Sequence, residues 1–356
     1  MADPVRTASV GDGRHDPSMD VEGGRTGFRH QDVDRTIVFG EGAVDRAADL
    51  LADPYVLLTT ARALRARPDL ADGATRTVEV PPGAVPGLAA ELRGTVDGER
   101  IVAFGGGRVV DVAKAIAAAD PPRTVIAIPT TLSGAQMTGT HRHATGVDEA
   151  TPRARAAVVV DDPALSASQD RPDLAASAGN AFGHVVATLG SDGASPIVRA
   201  VAREAGVRLA GPWHDDAIDR AGVALGALLA GWALDHAGLG LHHVVAQTAV
   251  REGGLAHATA NVAVLAGTAA AARRRRPREL ARLDVAMGVR AEDLARALRR
   301  GARLGRLDVF ADEERRAGLV AAAARRPELR RMAEPPDAAE LDAIYRAAWN
   351  PAAARS

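Results

Sequence analysis

The chain has 356 residues, of which 47% are hydrophobic, enough apolar material for one large domain or two ordinary ones. A formal net charge of −1 excludes an electrostatic nucleic-acid binder, and the lack of cysteine excludes disulfide frameworks and thiolate metal sites, so a reducing cytoplasm is the expected setting. No run approaches the ~18 apolar residues of a membrane helix, and the N-terminus lacks the apolar core of a secretion signal, so no membrane association is expected.

Residues 1–30 are rich in Gly, Asp, Arg and Ser without apolar periodicity and predict a disordered tail. Residues 31–170 predict an α/β dinucleotide-binding domain. Regular structure is expected to start at Arg35-Thr-Ile-Val-Phe-Gly, a short strand, followed by a helix over Gly42–Leu51. Strands are predicted at Tyr55–Thr60 and Thr75–Val80, then a helix at Val85–Leu92. Arg100–Phe104 is the next strand; it runs into Gly105-Gly106-Gly107 and a helix through Lys114 to Ala118. Thr124–Ile128 ends at Pro129-Thr130-Thr131, and Ala156–Val160 is the last strand. Strands alternating with helices predict a doubly wound, Rossmann-like parallel sheet.

From residue 171 to 356 the spacing is helical, which predicts an all-α domain completing the active site. Helices are expected at Ala181–Leu189, Pro196–Ala210, Ala217–His236, His242–Val250, Ala258–Arg273, Ala291–Arg300 and Ala338–Trp349. The basic run Arg273–Arg276 reads as a solvated helix end rather than a nucleic-acid patch.

A strand, three glycines and a helix make a phosphate cradle: glycine admits close backbone approach, and the helix N-terminus carries partial positive charge. A plain strand-to-helix turn is the alternative. Asp111 and Lys114 lie one helical turn apart on the same face. Lys114 is the sole lysine among 44 basic residues, so at this position arginine has not replaced it, as expected where space is tight. Thr130 and Thr131, at the carboxyl end of the following strand, stand where parallel sheets bind ligands. Further on, Asn180 and His184 share a helix face, and Gly253-Gly254 predicts a turn that brings His243 and His257 together. Three imidazoles and an amide oxygen would suit a borderline divalent metal. Taken singly, each histidine reads more simply as a structural hydrogen-bonder.

These features resemble the iron-containing alcohol dehydrogenase superfamily, most closely its maleylacetate reductase branch. The resemblance is carried by Arg35-Thr-Ile-Val-Phe-Gly-Glu-Gly-Ala-Val, the Gly105–Ala117 loop and helix, Ile128–Thr138, Asn180-Ala-Phe-Gly-His184 with Ser195-Pro-Ile197, and Gly240-Leu-His-His243 with Leu255-Ala-His257-Ala. It implies hydride transfer between NAD or NADP and a small alcohol, aldehyde or keto acid such as maleylacetate, in a cleft between the two domains. It implies cofactor contacts from Gly105, Gly106, Gly107, Asp111, Lys114, Thr130 and Thr131, and catalytic roles for His184, His243 and His257. A homodimer is the expected assembly. Most of the superfamily binds iron or zinc through an Asp and three His, whereas here Asn180 stands at the Asp position with His184, His243 and His257. A neutral donor set raises the cost of placing a dication, so the expectation leans against a catalytic metal.

Against the family pattern, Ala135-Gln136 replace Ser-Glu, Gly139-Thr140-His141-Arg142-His143 replace an apolar segment, Gln247 replaces a further His, and Arg251-Glu-Gly-Gly-Leu-Ala replaces Phe-Asn-Leu-Pro. His141, Arg142 and His143 are therefore expected to meet a substrate carboxylate, Arg offering a bidentate fork; a solvated loop is the alternative. No acidic residue follows the Tyr55–Thr60 strand to hold a ribose 2′-hydroxyl, and Arg62 would suit a 2′-phosphate, so NADP is admitted beside NAD. The competing readings are a pathway-specific dehydrogenase for a larger peptide or natural-product intermediate, a non-catalytic homologue, and a dehydroquinate-synthase-like lyase.

Overall fold

Among the described residues there are seven strands, most of them short apolar runs: β1 (Phe28–Asp32), β2 (Arg35–Phe39), β3 (Tyr55–Thr59), β4 (Ala74–Glu79), β5 (Arg100–Gly105), β6 (Thr124–Pro129) and β7 (Ala156–Asp161). The computed structural model describes residues 27–211, 213 and 218–349, so residues 1–26 of the tail expected over 1–30 and the expected helix start at Ala217 lie outside the described residues, while Phe28–His30 of that tail belong to β1. The strands join one sheet in the order β1-β2-β7-β6-β5-β3-β4. Every pair is parallel except β1 with β2.

Both faces of the sheet are covered, as a parallel sheet requires. Ile37, Val56, Leu58, Ile101, Ala103, Val125 and Val159 pack on one face, together with Val109, Val112 and Ile116 of the long helix that follows β5. Val38, Leu57, Val102, Phe104, Ile126, Ile128 and Val160 alternate onto the other face, against Ala43, Val44, Ala63 and Leu70. The covering helices are α1 (Ala43–Arg46), α2 (Ala61–Ala66), α3 (Asp69–Asp72), α4 (Val85–Leu92) and α5 (Gly107–Ala119).

After the short α6 (Pro163–Ser166), the chain is helical: α7 (Arg171–Gly190), α8 (Pro196–Leu209), α9 (Arg220–Ala237), α10 (Leu241–Arg251), α11 (His257–Arg275), α12 (Pro277–Met287), α13 (Ala291–Gly301), α14 (Glu313–Ala324), α15 (Pro327–Arg330) and α16 (Ala338–Trp349). The core around the sheet runs without a break into α7, α8 and α9 through Phe182, Val185, Ala202 and Leu228. A separate cluster knits α10, α11, α14 and α16 around Val245, Val264, Leu319 and Tyr345. Among the described residues no single helix is long and apolar enough to cross a membrane.

Three expectations change. Regular structure begins at Phe28, not Arg35, because Phe28-Arg-His-Gln-Asp pairs antiparallel with β2 as a largely exposed edge strand whose polarity hid it. The expected helix over Gly42–Leu51 is α1 followed by a separate 3-10 turn at Ala48–Leu51. The helix carrying Asn180 and His184 starts at Arg171, ten residues earlier than expected, with Asp170 accepting from the Asp173 amide as its cap and Pro172 in its first turn.

Candidate functional site

The strand order reverses between β3 and β5, so the carboxyl ends of β5 and β6 open onto the crevice where doubly wound sheets take ligands. Gly105 lies beside Pro129 in the register, and the Thr130 amide donates to the Gly105 carbonyl at 2.9 Å. Gly106 caps α5 in an extended conformation and Gly107 begins it. These glycines are required by space rather than by backbone angle. A Cβ on Gly105 would stand 2.6 Å from Val109 Cγ2, one on Gly106 3.2 Å from Thr131 Cγ2, and one on Gly107 2.9 Å from Ser133 Oγ. The segment after β6 therefore presses against the N-terminus of α5, whose first-turn amides have no helical carbonyl to bond. The cradle fits a pyrophosphate.

The Lys114 ammonium is fully buried: Nζ donates to the carbonyls of Ala135 (2.8 Å), Thr138 (2.9 Å) and Thr140 (3.3 Å) and pairs with Asp111 Oδ1 at 2.8 Å. Three of its partners are backbone oxygens of the loop after β6, so it shapes that loop. A guanidinium has no room there, which explains why arginine has not replaced it. Asp111 keeps 29% of its side chain exposed toward the cleft.

Asn180, His184 and His243 stand side by side. Asn180 Nδ2 donates to the Ser133 carbonyl at 3.1 Å and lies 3.5 Å from His184 Nε2. The His184 and His243 rings stack with centroids 5.0 Å apart. Gly134, left-handed at φ 73°, leaves room for His184, since a Cβ there would stand 2.7 Å from His184 Cε1. Asn180 Oδ1, His184 Nδ1 and both His243 ring nitrogens are buried without a hydrogen-bond partner. His242, next in line, is by contrast occupied: Nδ1 meets Thr268 Oγ1 at 2.8 Å and Nε2 meets Asn261 Oδ1 at 3.1 Å. Burial, and then mutual repulsion among the histidines, pushes His184 down to about 3 and His243 well below its ordinary range. Both rings are neutral at physiological pH.

His257 opens α11, near enough for its charge to disfavour protonation of His184 and His243; burial of its ring lowers its own pKa, against the pull of Asp111. The Gly253-Gly254 turn does connect the two helices, with Gly254 left-handed at φ 68°. Yet among the described residues no three His, Asp or Glu side chains converge as a metal-holding group. With Asn180 in place of a carboxylate, the donor set carries no anion to offset a dication's charge, and no chemistry below runs through a metal.

In the expected carboxylate loop, His141 is structural. The Ala154 amide donates to its Nε2 at 3.1 Å, so Nδ1 carries the proton and donates to the Arg142 carbonyl, also at 3.1 Å. Burial lowers its pKa to about 4. His143 is buried with both ring nitrogens unpartnered, while Arg142 is exposed. Thr130 and Thr131 sit at the carboxyl end of β6, with the Thr131 side chain over Gly106.

Ser133 and Ser177 carried no sequence signal. Ser133 links the glycine loop to Asn180, and Ser177 Oγ accepts from the Leu132 amide at 2.9 Å. Gln136 Nε2 donates to Asp161 Oδ2 at 3.1 Å, and Asp161, wholly buried, is pushed up to about 7 by desolvation. Gln247, at the position of the missing histidine, accepts from Arg326 at 3.2 Å.

No family model matches the chain. Maleylacetate reductase 1 of Rhodococcus opacus is 34% identical over 186 residues, which cover 49% of this chain but only 51% of that protein. The maleylacetate reductase of Sphingobium indicum is 31% identical over 265 residues, covering 67% of this chain and 73% of the relative. In architecture, the crystal structure of maleylacetate reductase from Rhizobium sp. strain MTP-10005 superposes with a TM-score of 0.75 at 22% identity, over 91% of this chain and 98% of the other. The chain belongs to the maleylacetate reductase family, and it shares the fold of iron-containing alcohol dehydrogenases.

Proposed function

We propose that this protein is an NAD(P)-dependent oxidoreductase that reduces the carbonyl of a small keto acid such as maleylacetate. The observation that carries the proposal is the buried His184–His243 stack, whose unsatisfied ring nitrogens face no protein partner just beyond the glycine cradle. A buried polar atom without a partner costs about 1–3 kcal/mol, so a ligand oxygen is its natural complement. A bound nicotinamide supplies the hydride that forms the new C–H bond at the carbonyl carbon. His243, neutral, donates its ring N–H to the carbonyl oxygen and draws electron density toward it. His184 stacks against it, and Asn180 holds the Ser133 carbonyl so that the loop stays seated. The proton that completes the alcohol comes from solvent.

Arg62, exposed just beyond the carboxyl end of β3, supports acceptance of a 2′-phosphate, so NADP stands beside NAD. A larger anionic substrate is the second reading. It rests on Arg251, two turns beyond His243 on α10, where burial and then the charge of Arg142 across the cleft lower its pKa. Glu328 and Glu252 offset only part of that repulsion. A homodimer is part of the proposal.

The test is His243→Ala assayed by NADPH oxidation with maleylacetate. Turnover should fall by roughly a hundredfold or more, while NADPH binding is unchanged. Wild-type turnover in the variant would remove His243 from the chemistry.

A further inference from the structure

The loop after β6 is gripped from two sides by buried charge. On the sheet side, Lys114 holds three of its carbonyls. On the helical side the holder is Asp235, near the end of α9, with 4% of its side chain exposed. The Gly139 amide donates to Asp235 Oδ1 at 2.7 Å, and Arg155 pairs with Oδ2 at 3.0 Å. Arg35, on β2 and equally buried, lies 3.8 Å from the same oxygen, and its Nη1 donates to the Met137 carbonyl at 2.7 Å. Asp32 stands 3.7 Å from Arg35, so two cations face two anions and the cluster is neutral. Trp232, one turn before Asp235, donates to Asp32 at 2.9 Å and anchors the end of α9 on the β1–β2 corner. Gly139 has no space for a side chain, since a Cβ would stand 2.9 Å from Arg155 Nε.

We infer that Asp235 is a positioning residue, a cross-brace from the helical half that fixes Met137–Gly139 and through them the His143 wall of the substrate cleft. The inference rests, for its effect on substrate, on the oxidoreductase reading above. His143 makes no ring hydrogen bond and packs edge-on against His141, with ring centroids 5.6 Å apart. The backbone that leads to both histidines is held four residues before His143 by Asp235, Arg35 and Lys114. The cofactor cradle is held independently, by the β5–β6 register and by contacts of Thr131 and Ser133 with the glycines. Loss of the brace should therefore loosen the substrate wall and spare the cofactor end.

The experiment compares wild type, Asp235→Asn and Asp235→Leu as full-length protein, by steady-state kinetics with NADPH and maleylacetate and by amide hydrogen exchange. Asn keeps an acceptor for Gly139 but drops the charge; Leu removes both. The inference predicts that Leu raises KM for maleylacetate by about tenfold or more, with kcat and the KM for NADPH within about threefold, and that Asn falls between. Faster exchange should be confined to residues 137–143. Exchange unchanged over that segment, or a KM for NADPH that climbs in step with that for maleylacetate, would overturn the inference. If Asp235→Leu does not fold, Asp235→Asn decides by the same criteria. If wild type turns over no carbonyl, the oxidoreductase reading falls, and the exchange measurement alone decides whether Asp235 braces the loop.

Discussion

Replacing Lys114 by methionine keeps the length of the side chain and removes its charge. In the wild type that ammonium is buried and serves the carbonyls of Ala135, Thr138 and Thr140 as well as Asp111. Removing one partner of a buried ion pair costs about 3–5 kcal/mol. Asp111 is 29% exposed and recovers part of its hydration, which places the expected loss near the lower end, at about 3 kcal/mol. Arginine at the same position keeps the charge but must fit a planar fork where Lys114 has no exposed surface, an overpacking cost of about 1–3 kcal/mol. Urea unfolding at fixed protein concentration measures both: the midpoint should fall for Lys114→Met and less for Lys114→Arg, at unchanged slope. A methionine variant within about 1 kcal/mol of wild type would refute the carbonyl-holding role. Abolished NADPH binding at unchanged stability would refute it too, by assigning Lys114 to direct cofactor contact.

Two further perturbations follow. Burial raises Asp161 from 3.8 to about 7, so in the unfolded chain it ionises first, and folding bears a penalty that grows as pH rises from about 4 to 7 and is complete above. At about 1.36 kcal/mol per pH unit, Asp161→Asn should stabilise the fold at pH 8 by roughly 2–4 kcal/mol and by nothing at pH 4; a gain that does not vary with pH in thermal melts would contradict the assignment. Gly107→Ala places a methyl 2.9 Å from Ser133 Oγ and must displace the loop that faces the cradle. The Kd for NADPH should rise by about tenfold, equivalent to about 1.4 kcal/mol, with the melting temperature nearly unchanged; unaltered affinity would detach the cradle from the cofactor.

The sheet was largely legible because its strands are buried on both faces, so Val56–Leu58, Ile101–Phe104 and Val125–Ile128 appear as unbroken apolar runs. β1 was not, since an edge strand spelled Phe-Arg-His-Gln-Asp shows no alternation. The early turns of α7 escaped notice for a packing reason. Beside Leu174, Ala175 and Ala178, its buried residues include Ser177, Gly179, Asn180 and Gly183, which dilute the apolar signal, yet a Cβ on Gly179 would lie 2.6 Å from Val262 Cγ2 and one on Gly183 would overlap His242. Residue type and spacing put Asn180 and His184 on one helix face but did not show that His243 stacks on His184. They did not reveal partners distant in sequence. The unusual lysine was visible, but its carbonyl acceptors 21 to 26 residues away were not. His141 and His143 look alike in sequence; only the Ala154 amide makes one a structural post and leaves the other with free ring nitrogens.

The central claim, that the Gly105–Gly107 cradle holds a nicotinamide dinucleotide beside a neutral histidine stack, is tested most directly by titrating NADH and NADPH into the purified full-length chain and following nicotinamide fluorescence. Saturable one-to-one binding of at least one of them is predicted, followed by oxidation of the bound cofactor on addition of maleylacetate. No saturable binding of either dinucleotide would contradict the account.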